Sequence, residues 1–556
     1  MGYLKFEIDQ CKDCYACLRS CPVKAIRFVD DKAIIMEENC ILCGQCVNVC
    51  PQNAKNVLNT TPYIEKIIRE NPGKVVLSVA PSFITNFPVK NFTTLKNACM
   101  KLGFVDCIEN AFGAALVDQR YLETIDKMER RVMISTACPA AVAYVRKMYP
   151  NAIKYLAPVD SPMVAHAKII KHEHPDYKVI YVGTCIAKKK EGALSRVVDG
   201  VLTYEELNDM LIKNHIEFEE ASDEQEVNLV ERYYPINRGT IKALHHRLDN
   251  STIDSISIDG GDEIDGILDN IDSLDDMFIE MYMCKGGCVN GPCKLSNRPV
   301  MKDNSIVRDF VKRKPAIRIE YKEDIDISKT FTPIKNDIKI PTEEQFREIL
   351  NRISRFKKED EINCGACGYK TCRDKAIAVF NGMSDPEFCL PHLKNKAESF
   401  ANEIMEHTPN GIITVDGDGM ILEVNNQAKK YLNVDNASIG QFYGNYFDLP
   451  ELLECIEKKE NLDSTIVYDE EKDMYFDVSI TYVKDNHVAF AIYKDVTQET
   501  LNDEKMKALR QEMVDVTDNV INKQMAAVQE IASLLGESTA EAKIALVNFK
   551  NSLKDE

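Results

Sequence analysis

Twenty cysteines in 556 residues, sixteen of them in spaced groups, constrain this chain more than any other feature. Two runs repeat one spacing: Cys11-x2-Cys14-x2-Cys17-x3-Cys21-Pro22 and Cys40-x2-Cys43-x2-Cys46-x3-Cys50-Pro51. Thiols this dense become disulfides in an oxidising compartment and metal or redox ligands in a reducing one. The stretch MGYLKFEIDQCKDC lacks the apolar segment of a secretory signal. No run approaches the roughly 18 apolar residues of a membrane span. A cytoplasmic protein with no membrane partner is expected, and its cysteines read as metal ligands.

The repeated run is the spacing of bacterial two-cluster ferredoxins. Three close thiolates cap three corners of a cubane, and the cysteine before proline crosses to the other cluster. Cys11, Cys14, Cys17 and Cys50 are expected on one [4Fe–4S] cluster, and Cys40, Cys43, Cys46 and Cys21 on the other. Zinc is the alternative, but it calls for paired knuckles without the repeated Cys-Pro. Two neighbouring cubanes make an electron wire.

The length suits about three to five domains of ~100–200 residues. A formal charge of −19 argues against nucleic acid, whose phosphates demand excess Lys and Arg. After a ferredoxin segment at 1–58, apolar runs at Val75–Val79, Val132–Ser135, Val179–Val182 and Ser255–Asp259 read as buried strands between helical stretches. That alternation predicts a parallel α/β domain over 59–335. A charged helix over 341–358 leads into Cys364-x2-Cys367-x4-Cys372-x16-Cys389. This set resembles a small [4Fe–4S] domain, placed at 340–400, with zinc again the alternative. Gly365 and Gly368 permit tight turns around a cubane. Cys99, Cys107, Cys293 and Cys455 fit no pattern and read as inert buried thiols.

Four cysteines of the central domain stand far apart. They are Cys138 in Ser135-Thr-Ala-Cys-Pro139, Cys185 in Thr184-Cys-Ile-Ala-Lys-Lys-Lys-Glu191, and Cys284 and Cys288 in Met283-Cys-Lys-Gly-Gly-Cys288. The first two each follow an apolar strand, where sites in α/β folds gather. In that order the three motifs resemble the signature loops of [FeFe]-hydrogenases, over roughly residues 70–300. The resemblance implies two α/β lobes enclosing an H-cluster, a [4Fe–4S] cubane joined to a two-iron site with CO, cyanide and a bridging dithiolate. It implies that Cys138, Cys185 and Cys284 ligate the cubane and that Cys288 both ligates it and bridges to the two-iron site. Lys188 matches the lysine that holds a cyanide through a charge-assisted hydrogen bond.

The departures from that family carry as much information. Ala137 stands where fast members have a proton-relay cysteine. The relay glutamates fall near Arg120 and Tyr121, and the relay serine at Ala157. Two methionines beside the cluster are replaced by Gly183 and Tyr282. Cys293, Tyr282 and Glu191 are candidates for another relay. Positioned acid–base groups contribute ~10²–10⁴-fold, so low turnover is expected.

Strand-like Gly411–Val415, the turn Asp416-Gly-Asp-Gly419 and strand-like Met420–Val424 precede a helix from Asn426. With Asn425, Ala428 and Tyr493-Lys-Asp-Val-Thr497, residues 401–498 resemble a PAS domain, which senses, relays or dimerises. Residues 499–556 read as a helical signalling segment, with Met506, Leu509, Met513, Val516 and Val520 at coiled-coil spacing.

The expected architecture is α/β and α+β multidomain: ferredoxin, two-lobed hydrogenase, small [4Fe–4S], PAS and terminal helix. The expected function is a sensory-type [FeFe]-hydrogenase acting on H2 and protons, homodimeric through PAS and the terminal helix. Its expected partners are a ferredoxin-like electron carrier and a signalling kinase or phosphatase. The alternatives are a metabolic, ferredoxin-linked hydrogenase with another proton path and a non-catalytic hydrogenase-like Fe–S protein.

Overall fold

The computed structural model describes residues 2–552 except 13, 30, 31, 129–131, 225, 248–252, 336, 337, 485, 486 and 536–539. The chain divides into two compact units, Met1–His392 and Leu393–Glu556.

In the first unit, the N-terminal segment pairs strand Leu4–Phe6 with Lys55–Val57 and strand Ile26–Val29 with Lys32–Ile35, both antiparallel. Between them the short helices Ala16–Ser20 and Gln45–Asn48 pack together. The central region then builds two separate parallel sheets. One runs Asp106–Glu109, Val75–Val79, Lys178–Gly183, Gly200–Thr203; the other Asp254–Asp259, Met277–Tyr282, Val132–Ile134. All five residues of Val75–Val79 are buried, as a parallel strand covered on both faces requires. The helix–strand alternation thus gives the expected α/β class, in two separate parallel sheets.

One boundary differs from expectation. The helix expected over 341–358 spans Glu343–Arg352, opened by a Thr342/Gln345 capping box. It stops where Ser354 takes a left-handed φ of 58°, which interrupts helical hydrogen bonding. The small segment's second helix, Cys372–Phe380, opens on a capping box of Thr371 and Asp374.

The second unit centres on a five-stranded antiparallel sheet, ordered Ile421–Val424, Gly411–Asp416, Val488–Asp495, Met474–Val483, Leu462–Asp469. Its turn forms as expected: Asp416 Oδ1 accepts from Asp418 N at 3.0 Å and Met420 N at 2.9 Å, and Gly419 supplies a φ of 77°. Ile413, Val415, Ile421, Leu452, Cys455, Val478 and Ile480 fill the core. The terminal segment is two helices, Thr497–Leu535 and Ala540–Ser552, joined by a Lys550–Asp518 pair at 2.9 Å. Residues 536–539 and 553–556 of the expected helix lie outside the described residues. Met506, Leu509, Met513, Val516 and Val520 are all more than half exposed in the single chain.

A buried ion pair fastens the chain leaving the N-terminal segment. Lys189 Nζ donates to Glu206 at 2.8 and 2.7 Å, to Thr60 Oγ1 at 2.7 Å and to Leu58 O at 3.1 Å. Their side chains are 1% and 9% exposed. Removing one partner strands the other charge. Glu206→Ala is expected to destabilise the protein by about 3–5 kcal/mol; thermal unfolding checks this, and an unchanged transition would contradict it.

Candidate metal centres

The three central loops leave the C-terminal ends of parallel strands from both sheets. Strand Val132–Ile134 runs into Ser135–Cys138, where Cys138 caps helix Pro139–Met148. Strand Lys178–Gly183 runs into Thr184 and Cys185 ahead of helix Ala187–Ser195, which carries Lys188. Strand Met277–Tyr282 runs into Met283 and Cys284. The loop to Cys288 turns on Gly286 and Gly287, at φ of 84° and 90°. A Cβ on Gly287 would lie 2.7 Å from Pro235 O, so both conformation and space demand glycine. Thr184 ties two loops together, donating from Oγ1 to Cys288 O at 2.7 Å and accepting at its carbonyl from Cys293 N at 3.1 Å.

The outcome is one cavity of about 70 Å³, lined by Cys138, Cys185, Cys284 and Cys288. Burial pushes the Cys185 thiol up to about 11, and Cys284 and Cys288 rise by the same cause. Iron would reverse this by binding the thiolate form. Ala80, Pro81, Ala114, Ala137 and Pro162 make part of the wall small and apolar, while Ser82, Asn110, Thr184 and Lys188 bring polar groups to it. The four-thiol donor set fits the cubane of an H-cluster.

Lys188 is the one cation among the described residues lining this cavity. Its side chain is 8% exposed, and its Nζ donates to Glu191 Oε2 at 2.7 Å, Ser161 Oγ at 2.9 Å and Ala137 O at 3.3 Å. Ser161 was not legible in the sequence beyond its place before Pro162 at a helix start. Glu191, a candidate for another relay, instead pairs with Lys188 at i,i+3 and is not among the lining residues described for this cavity.

The residues at the expected proton route are closed. Ala157 is fully buried among apolar side chains, and the Tyr121 hydroxyl accepts from Thr136 N at 2.8 Å. Arg120 pairs with Glu123 and with Asp324. Of the other candidates, Tyr282 lines the cavity and its hydroxyl donates to Glu280 Oε1 at 3.1 Å and Tyr234 O at 3.0 Å. Glu280 is buried, which raises its carboxyl above the usual range. Cys293 is buried but is not among the lining residues described for this cavity. Cys99, Cys107 and Cys455 are buried as expected.

Cys21, Cys40, Cys43 and Cys46 line a second cavity. Cys43 also borders the central cavity, so one thiol adjoins both. Gln45 Nε2 donates to Met283 O at 3.0 Å, docking this segment on the third loop. Cys17 lies on helix Ala16–Ser20 and Cys50 just beyond the helix it packs on, with Cys14 exposed and Cys11 half-buried. Cys364, Cys367, Cys372 and Cys389 line a third cavity. Gly365 and Gly368 hold φ of 70° and 87° there. Among the described residues no three thiol, imidazole or carboxylate groups converge as a lone ion demands; the cysteines stand apart across cavities.

The family model "Iron only hydrogenase large subunit, C-terminal domain" matches residues 73–292, and the 4Fe-4S dicluster domain model matches 3–51. An Fe-S cluster model covers 360–391 and a PAS domain model 400–466. The NADP-reducing hydrogenase subunit HndD of Solidesulfovibrio fructosivorans is 26% identical over 221 residues, 33% of this chain. The chain spans 37% of that relative's length. A ferredoxin of Methanothermococcus thermolithotrophicus is 35% identical over 54 residues, 9% of this chain and 90% of that one. Among solved structures, a variant of the [FeFe]-hydrogenase HydA1 from Chlamydomonas reinhardtii is 15% identical with a TM-score of 0.34, covering 46% of this chain and 89% of that one.

The first segment therefore belongs to the two-cluster ferredoxins, and the protein to the iron–sulfur class of oxidoreductase kind. The chain is a PAS-containing [FeFe]-hydrogenase-like protein. Among its described residues no helix is long and apolar enough to cross a membrane.

Cys284→Ser is expected to lower bound iron by about four atoms per chain, one cubane. Iron analysis checks this; unchanged iron would remove Cys284 from the centre.

Proposed function

We propose that this chain is a sensory-type [FeFe]-hydrogenase that binds H2 and turns it over slowly in the cytoplasm. The observation that carries the reading is the central cavity, where four cysteines and Lys188 face a wall that has Ala137 in place of an acid–base group. When bound there, the H-cluster supplies reversible splitting of H2 into two protons and two electrons. Cys138, Cys185, Cys284 and Cys288 would hold it. Lys188, paired with Glu191 at 2.7 Å, would hold a cyanide through a charge-assisted hydrogen bond.

The protons need a contiguous set of donors and acceptors. A methyl at Ala137 and another at Ala157 break the family's set, which supports low turnover. The electrons have Cys43 beside the cavity. In this reading the remaining cysteine sets hold [4Fe–4S] clusters, and the PAS domain and terminal helices pass the redox state to a partner kinase or phosphatase. The exposed stripe from Met506 to Val520 suits a homodimer.

A second reading is favoured by Tyr282. Tyr282 lines the cavity, and its hydroxyl lies 3.1 Å from Glu280 Oε1, a carboxyl raised above its ordinary range by burial. That pair could serve a metabolic hydrogenase, exchanging electrons with a ferredoxin-like carrier.

The matured protein is expected to cycle H2 far below the fast enzymes while its CO and cyanide infrared bands still respond to H2. Turnover at ordinary rates would overturn the sensory reading, and absent bands the hydrogenase reading itself. Ala137→Cys is expected to raise turnover by about 10²-fold, the lower end of a positioned acid–base group because Ala157 remains. No gain, with activity lost in Tyr282→Phe, would favour the metabolic reading.

A further inference from the structure

The small cysteine segment is seated on the ferredoxin segment at one place. Gly368 approaches so closely that a Cβ there would lie 3.2 Å from the Arg19 Cα. Phe388 packs on Tyr15 and Phe28, with ring centroids 4.8 and 5.8 Å away. Lys370 pairs with Asp265 at 2.7 Å, fixing the segment to the central domain as well. The loop residue between Gly368 and Lys370 is Tyr369, which is 5% exposed.

Lys24 projects into this contact. Its backbone is left-handed, with φ of 49°, a conformation lysine adopts rarely. Its Nζ donates to Arg19 O at 3.1 Å and lies 5.9 Å from the centre of the Tyr369 ring. Lys375 Nζ lies 5.6 Å from the same ring. The Lys24 backbone N–H donates to Cys21 O at 3.3 Å, and Tyr369 lines the cavity of Cys364, Cys367, Cys372 and Cys389. Cys21 lines one cavity and Cys367 another, so one ammonium and one phenol ring lie between two cysteine sets.

We propose that Lys24 is a positioning residue shared by two iron–sulfur centres, whose ammonium, seated against Tyr369, raises the reduction potentials of the Cys21/Cys40/Cys43/Cys46 set and the Cys364/Cys367/Cys372/Cys389 set together. The inference rests on the reading that both sets hold [4Fe–4S] clusters. Net charge around a cluster is a principal determinant of its potential, and a cation in a partly buried contact acts through a low effective dielectric. The small segment thereby joins the wire at the set that borders the central cavity through Cys43.

The test is an EPR-monitored titration of the full chain, with dithionite delivering one electron to each cluster. Cys364→Ser and Cys46→Ser identify the two signals by loss. Lys24→Gln is expected to move both midpoints to more negative potential, with Lys24→Arg restoring them. Lys24→Met keeps the packing of the stem on Tyr369 and should reproduce the shift if the glutamine variant fails to assemble. A shift in one signal only, in neither, or in all clusters alike overturns the proposal. A parent chain with no signal that Cys364→Ser removes overturns the cluster reading beneath it, and the proposal with it.

Discussion

Bringing four thiols from the strand ends of two different sheets into one buried space is the constraint on which the first unit depends. The two sheets fill largely separate cores. The cavity makes them interdependent, because Cys138 and Cys284 follow strands of one sheet and Cys185 follows a strand of the other. Burial drives the Cys185, Cys284 and Cys288 thiols toward their neutral form. Iron reverses that preference, since a ligating thiol must lose its proton, and the binding energy becomes energy of fold. The second-sphere contacts follow the same logic. Thr184 pins Cys288, glycine conformations turn the third loop, and Gln45 reaches in from the ferredoxin segment.

Lys188 shows how the site handles a necessary charge. A buried ammonium is costly alone. Glu191 and Ser161 offset that cost, while the backbone carbonyl of Ala137 takes a further bond. The position of Ala137 is therefore structural through its carbonyl and inert through its methyl. The same residue that cannot move a proton helps to orient the lysine.

Much of this was legible from spacing alone. Cysteine runs are short-range patterns, and the chain writes them without reference to the fold. The crossing of Cys21 to Cys40, Cys43 and Cys46 follows from the repeated Cys-Pro, and the structure brings these four around one cavity. The parallel strands were equally plain, because strands buried on both faces read as continuous apolar runs. What spacing could not reveal depends on three-dimensional meeting. Ser161, Thr184 and Glu280 are ordinary residues until the sheets bring them to the cavity or its wall. Tyr369 and Lys24, 345 positions apart, share no local pattern. Helix ends failed for a simpler reason: a single left-handed residue, Ser354, stopped a segment whose composition favoured continuing.

Electron and proton traffic make different demands on a protein, and in the proposed reading this chain separates them. Electrons tunnel between centres and need only proximity, which whole cysteine sets supply. Protons move between adjacent donors and acceptors, so one methyl in the row is enough to interrupt them. Ala137 and Ala157 do so without disturbing any thiol, and Tyr121 closes its hydroxyl onto the backbone of Thr136. In the proposed reading, that separation is what converts a catalyst into a sensor. A centre whose protons leave slowly dwells longer in each redox state. The neighbouring cysteine sets can then equilibrate with it, and the dwell time becomes long enough for a domain without catalytic residues of its own to respond.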